Sequence, residues 1–170
     1  MIDLDNYKLG ETQELITVDN QDDFRQLLIT MSQQAQHRIW IFSHNLDIRI
    51  YDNNELYEAI KNLAIRSPRT HINILVQDSE HMVKNDHRLL RLAQRISSHM
   101  QVKLTAREHQ DIYQTFIIFD DRGYIIHEDP LRFNARADFY NPLETRKLAE
   151  QFSEMWEVGV IDNRLRRLSL

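Results

Sequence analysis

Cysteine is absent from the chain. Disulfides, thiolate metal sites and cysteine nucleophiles are thereby excluded. Glycine and proline are scarce, at three each among 170 residues. That leaves no glycine-rich phosphate loop and no flexible linker, so punctuation falls to Asn and Asp. No apolar run approaches the ~20 residues of a membrane span. Met1 to Gly10 is polar and acidic and has no apolar signal-peptide core, so cytoplasmic residence without a membrane partner is expected. There is no internal repeat. What is present is ordinary for one globular unit: 42% hydrophobic and 28% charged residues. Residues 1–12 read as a mobile arm and residues 13–170 as a single domain.

Apolar spacing divides the chain into alternating elements. Glu14–Val18 reads as a short edge strand. Phe24, Leu27, Leu28, Met31 and Ala35 recur at helical spacing behind Asp19 or Asn20 as cap. Arg38–Ser43 (RIWIFS) is a buried strand. Asp52 and Glu55 fit a capping box ahead of a helix with Leu56, Ile60 and Leu63 inward. Ile72–Val76 is a strand, His87–Ser98 a helix and Val102–Thr105 a strand. Thr115–Phe119 and Tyr124–His127 flank a turn at Asp121-Arg122-Gly123. The last helix opens with Asn141 as cap, Pro142 at the first helical position and Glu144 completing the box; Leu148, Phe152, Met155 and Trp156 form its core face. Strand and helix alternate and then give way to a hairpin. An α/β sandwich with a mixed, largely parallel sheet is expected.

The net charge of −5 gives no global nucleic-acid signal. Charge is uneven, however. Between Lys84 and Arg107 lie Lys84, Arg88, Arg91, Arg95, Lys103 and Arg107, against Asp86 alone. With Asp86 as cap, His87 and Arg88 fall in the first turn of a helix, whose N-terminus favours an anion. Arg88, Arg91 and Arg95 share one helical face. Two readings of that face are open: an anion-binding stripe, or arginines already paired with nearby acids. No aromatic residue interleaves with the stripe in sequence, which counts against single-strand nucleic acid. The eight histidines show no metal-ligand pair on one helix face, so no metal or cofactor is expected. Ser43 and His44 are adjacent on a strand and point apart, a poor nucleophile and base pair.

The stretch Tyr113-Gln114-Thr115-Phe116-Ile117-Ile118-Phe119-Asp120 has the spacing of His-x-Lys, four residues, then Asp on a strand. Together with the strand ending at Ser43 and the closing helix with Phe152 and Trp156, it resembles the phospholipase D superfamily over about Arg38 to Glu157. Asp120 stands at the aspartate position, but Tyr113 replaces the histidine and Thr115 the lysine. His127-Glu128-Asp129-Pro130 occupies the region where the family usually carries Gly-Ser or Gly-Gly. In that family the histidine is the nucleophile and the lysine neutralises the phosphate oxygens. A tyrosine with a pKa of ~10 and a neutral threonine supply neither function.

The resemblance implies a fold retained without its catalytic pair, and a homodimer across the motif face. It also implies that Ser43, Asp47, Tyr51, His87 and Asp120 converge near the motif. Three functions follow as expectations. The first is a non-catalytic module that binds a phosphate-containing ligand, a nucleic acid or a protein through these residues and Arg88, Arg91, Arg95, Tyr113 and Thr115. The second is a divergent phosphodiesterase or transferase using Asp120 with His87 or Tyr113. The third is a structural or regulatory partner of a separate enzyme.

Overall fold

A computed structural model describes residues 1–166 of the chain; the last four positions of the expected domain lie outside the described residues. Seven strands form one sheet: β1 (Ile16–Val18), β2 (Arg38–Ser43), β3 (His71–Val76), β4 (Met100–Leu104), β5 (Thr115–Phe119), β6 (Gly123–His127) and β7 (Ala135–Asp138). Their order across the sheet is β1-β7-β6-β5-β2-β3-β4. Only β2–β3 and β3–β4 pair in parallel; β1–β7, β7–β6, β6–β5 and β5–β2 are antiparallel. The α/β architecture is as expected, but its parallel character is partial. The reason lies at β5: it enters beside β2 from the opposite direction, and short hairpin connections then carry β6 and β7 outward.

Among the described residues six α-helices cover the sheet: α1 (Gln21–Gln34), α2 (Ile48–Tyr51), α3 (Asn54–Ala64), α4 (Glu80–Lys84), α5 (Arg88–Arg95) and α6 (Pro142–Glu157). Strand alternation sorts the core into two layers. Ile39, Ile41, Ile72, Ile74, Val76, Ile117, Phe119 and Ile125 face α1, α3 and α5. Phe42, Leu75, Phe116, Ile118, Tyr124 and Ile126 face Leu148, Phe152 and Met155 of α6. On the first layer α1 packs on α3, and α3 on α5. That stacking sets the mutual position of the two helices that matter below. Among the described residues, no helix is long and apolar enough to cross a membrane.

Several boundaries differ from the sequence reading for local reasons. Asn53, not Asp52, caps α3 by accepting from the Leu56 N–H at 2.8 Å. His87, not Asp86, caps α5. Of the two candidates Asn20 caps α1, and Asn141 caps α6 as read, but Trp156 is half-buried beside the second core rather than inside it. The strand β7 is unsignalled, because ARAD carries two alanines and two charges. The first twelve residues, read as a mobile arm for their polarity, lie along α1: Leu4 is buried, the Ile2 N–H donates to Asp23 and the Leu9 N–H to Gln34.

Gly123 opens β6 where the chain is tightest. A Cβ there would stand 2.8 Å from the Asp138 carbonyl oxygen, 2.7 Å from Leu9 Cδ1 and 3.0 Å from Met31 Cε. Backbone cannot yield as a side chain can. Gly123→Ala is therefore expected to destabilise the fold by about 1–3 kcal/mol, read as a lower urea midpoint with unchanged slope.

Candidate functional site

The motif strand β5 runs antiparallel to β2, so its N-terminal end meets the C-terminal end of β2. Phe116 pairs with Phe42, which puts Thr115 next to Ser43 in register, and Thr115 pairs with His127 of β6. Ser43, Thr115 and His127 thus form a row across the sheet, on the face covered by α1 and α2. Thr115 is buried. His127 Nε2 contacts the Arg132 carbonyl at 2.6 Å, and its ring packs edge-on against Phe24. The Tyr113 hydroxyl donates to Asp129 Oδ1 at 2.8 Å. That bond to a carboxylate holds the Tyr113 pKa above its ordinary value, away from the phenolate a nucleophile would need. Glu128 accepts from Gln114 and Arg136; burial pushes its pKa up, but these bonds prevail and hold it down.

Asp120 lies elsewhere. It sits at the far end of β5 from Tyr113, with a left-handed backbone (φ 56) that Asp tolerates. Its carboxylate accepts the backbone N–H groups of Gln36 (2.7 Å), His37 (2.7 Å) and Arg38 (3.0 Å), tying the β5–β6 turn to the start of β2. The pocket expected from Ser43, Asp47, Tyr51, His87 and Asp120 is therefore corrected. The first four gather at the C-terminal end of β2, and Asp120 stands at the opposite end, about 17 Å from Ser43 at ~3.3 Å per strand residue. Asp120 is brought to neither His87 nor Tyr113.

The four gathered residues interlock. Leu46 is buried with φ 52, a conformation that costs a bulky residue energy. Ser43 Oγ accepts its N–H at 3.0 Å, and the buried Tyr51 hydroxyl shares Ser43; burial pushes Tyr51 well above its usual pKa. His87 takes the other end of Leu46: its Nε2 lies 3.1 Å from the Leu46 carbonyl, and its Nδ1 accepts the Leu89 N–H at 3.1 Å. These partners fix a neutral ring with its proton on Nε2. Burial depresses the His87 pKa, aided by Arg88 and Arg91 and opposed by Asp52. Asp47 caps α2 and pairs with Arg49; burial pushes its pKa up, and those bonds outweigh it. Ser43, Asp47, Tyr51 and His87 thus hold a loop in shape.

That loop delivers α5. With His87 as cap, Arg88, Arg91 and Arg95 project along one side of the helix and line an open groove of about 220 Å³ with Asn54 and Tyr57 of α3. The arginines are weakly held. Arg88 reaches Asp52 at 3.6 Å and Arg91 reaches Asp86 at 3.7 Å, with side chains 44% and 45% exposed. Among the described residues Arg95 has no ion pair. Exposed pairs at such distances contribute little, so the groove keeps accessible positive charge. The contributions of Asn54 and Tyr57 were not foreseen from sequence. Their i, i+3 spacing beside the buried Leu56–Ile60–Leu63 stripe is a signal, but only tertiary packing sets that edge against α5.

A family model described as a domain of unknown function, DUF7931, matches residues 20–168. No curated protein matches the chain. Solved structures do share its fold. TrmBL2, an archaeal chromatin protein with a described mode of DNA binding, superposes with a TM-score of 0.64 at 15% identity, over 88% of this chain and 55% of its own. This chain thus spans about half of that protein. Nuc from Salmonella typhimurium, a phospholipase D family member, gives 0.59 at 14% identity over 86% and 97%. NucT from Helicobacter pylori gives 0.55 at 16% over 86% and 99%. The fold is phospholipase D-like.

Two outcomes follow from the geometry. Asp120→Ala is expected to lower stability by about 2–3 kcal/mol, because three N–H donors lose a charged acceptor; Asp120→Asn, which keeps an oxygen there, loses less in urea unfolding. For His87 the sign is set by its depressed folded pKa. Below about 6.5 the unfolded chain binds a proton that the folded ring resists, so stability is full above that pH and falls as the pH drops toward the folded value. Urea unfolding at pH 7.5 and 5.5 is expected to show a larger loss for the wild type than for His87→Asn, which retains a cap without a titrating ring.

Proposed function

We propose that this chain, which belongs to the DUF7931 family, is a non-catalytic phospholipase D-like module that binds a phosphate-bearing ligand in the groove between α3 and α5. The observation that carries the reading is the row of Arg88, Arg91 and Arg95 in an open groove, held only by long, half-exposed ion pairs. Arginine presents a fork of donors that fits phosphate oxygens two at a time, and a phosphate here replaces contacts of small value. The fold supports the reading by analogy alone: an archaeal relative in structure binds DNA.

The non-catalytic half rests on the motif strand. The side chain at the nucleophile position donates its proton to Asp129, the residue at the lysine position is a buried threonine, and the aspartate of the motif serves the backbone of β2. No cation stands on that strand to neutralise a phosphoryl group, which is the main source of acceleration in such chemistry.

Retention on phosphocellulose and competition by tripolyphosphate test the binding half. The Arg88→Ala/Arg91→Ala/Arg95→Ala variant is expected to lose affinity at least tenfold, with a wild-type log–log salt slope of roughly −2 for three phosphate contacts. Equal retention of the variant would remove the groove from consideration. The non-catalytic half predicts no turnover of bis(p-nitrophenyl) phosphate at neutral pH; turnover abolished by Tyr113→Phe would establish a divergent phosphodiesterase instead.

A further inference from the structure

The groove contains what the sequence pattern lacks. Arginines without an aromatic neighbour mark a general polyanion site, whereas arginines beside an exposed ring mark a site for unpaired bases. Tyr57 is 31 positions before Arg88 in the chain, yet both line the same groove, with Asn54 one helical turn before Tyr57. From this juxtaposition we propose that the groove binds single-stranded nucleic acid, with the Arg88–Arg91–Arg95 row on the phosphates and Tyr57 stacking on a base. The proposal rests on the phosphate-binding reading above and narrows it to one ligand class.

Three features favour a single strand over other polyanions. The first is shape. The arginines lie beside α3 in a concavity, and the opposite face of α5 is buried through Leu89, Leu92 and Ala93. The arginines border a concavity flanked by α3, which a stiff, wide duplex enters less readily than a flexible strand does. A flexible strand can settle into the concavity with its bases turned inward.

The second is chemistry. Tyr57 is partly buried against the core and also lines the groove, so packing holds its side chain in place there. A ring fixed in this way is a preformed platform with little entropy left to lose. Asn54 offers both a donor and an acceptor in the same groove, the pairing that an unpaired base edge presents. A simple phosphate or polyphosphate could take hydrogen bonds from both residues but would leave the ring face unused.

The third is extent. Arg88, Arg91 and Arg95 span about 10 Å along α5 at ~1.5 Å per residue, and the groove of about 220 Å³ is smaller than the pockets that engulf whole ligands. A row of that length matches two or three consecutive phosphates. The chain as a whole carries a net charge of −5, so additional phosphates gain little from the surface at large. Affinity is therefore expected to level off at a short length instead of rising with every added nucleotide.

The test is fluorescence anisotropy with labelled oligo-dT and oligo-U of 2 to 12 nucleotides, a hairpin duplex of matched charge, and tripolyphosphate as competitor. The wild type is expected to prefer the single strands and to reach its plateau near four nucleotides. Tyr57→Leu should weaken single-strand binding roughly tenfold and tripolyphosphate binding far less, while Tyr57→Phe, which keeps the ring, retains the wild-type single-strand affinity. Equal binding of duplex and single strand, or full single-strand affinity in Tyr57→Leu, would overturn the proposal and leave the phosphate reading intact. Failure of every phosphate-bearing probe would sink both. Because Tyr57 also packs on the core, the wild type is probed in parallel by photo-crosslinking to a 5-bromouracil-substituted oligonucleotide. An adduct in the peptide containing Tyr57 supports the assignment, and adducts confined to other surfaces refute it.

Discussion

The His87 imidazole joins three pieces of chain that share no sequence neighbourhood. Its Nε2 engages the carbonyl of Leu46 in the loop after β2, its Nδ1 accepts the first free N–H of α5, and its own backbone N–H donates to Met82 of α4. The two ring contacts together require a neutral imidazole, and burial keeps it neutral. A proton on Nδ1 would set a donor against the Leu89 N–H and uncap the helix. The direction in which α5 leaves the loop, and with it the side on which three arginines emerge, therefore depends on one uncharged side chain. Leu46 shows how firmly the loop is held. A buried leucine stays in a left-handed conformation only because both its N–H and its carbonyl have fixed partners.

The motif strand illustrates a different economy. In a phosphodiesterase of this fold the spacing of the motif would serve chemistry at one end of the strand. Here the two ends of β5 have separate structural tasks. At its start, Thr115 is buried against the loop face and Tyr113 is tied to Asp129. At its end, Asp120 binds three successive backbone donors at the start of β2. A carboxylate that closes a turn onto a neighbouring strand stabilises the sheet whether or not catalytic residues stand upstream. Asp120 thus has a structural role of its own, independent of what stands at positions 113 and 115.

Much of the architecture is legible in the sequence because local rules suffice for it. RIWIFS, INILV and TFIIF are too apolar and too β-branched to be anything but central strands, and Asn141-Pro142 with Glu144 fixes the start of α6 by backbone chemistry alone. Other features depend on where strands go and not on what they are made of. Nothing in TFIIF says that it enters antiparallel beside β2, so the sheet reads as more parallel than it is. ARAD has no apolar alternation, and it is a strand because β6 and β1 offer it partners on both sides. Asp86 reads as a cap by residue type, but a left-handed backbone turns it away, toward Arg91, and histidine takes the position through a ring nitrogen.

The site divides along the same line. The spacing of Arg88, Arg91 and Arg95 is enough to place them on one face, since helical periodicity is a local property. What that face does is decided by its neighbour. Alone, three arginines on an eight-residue helix of an acidic protein are a solvated stripe. Set against α3 they acquire Tyr57 and Asn54, and the stripe becomes one wall of a groove. The acids close to it, Asp52 and Asp86, stand at the loop ends of the helices and reach the arginines only at long range. At that range and exposure they hold the row weakly, and in a chain of net charge −5 the wall gathers three arginines into one groove.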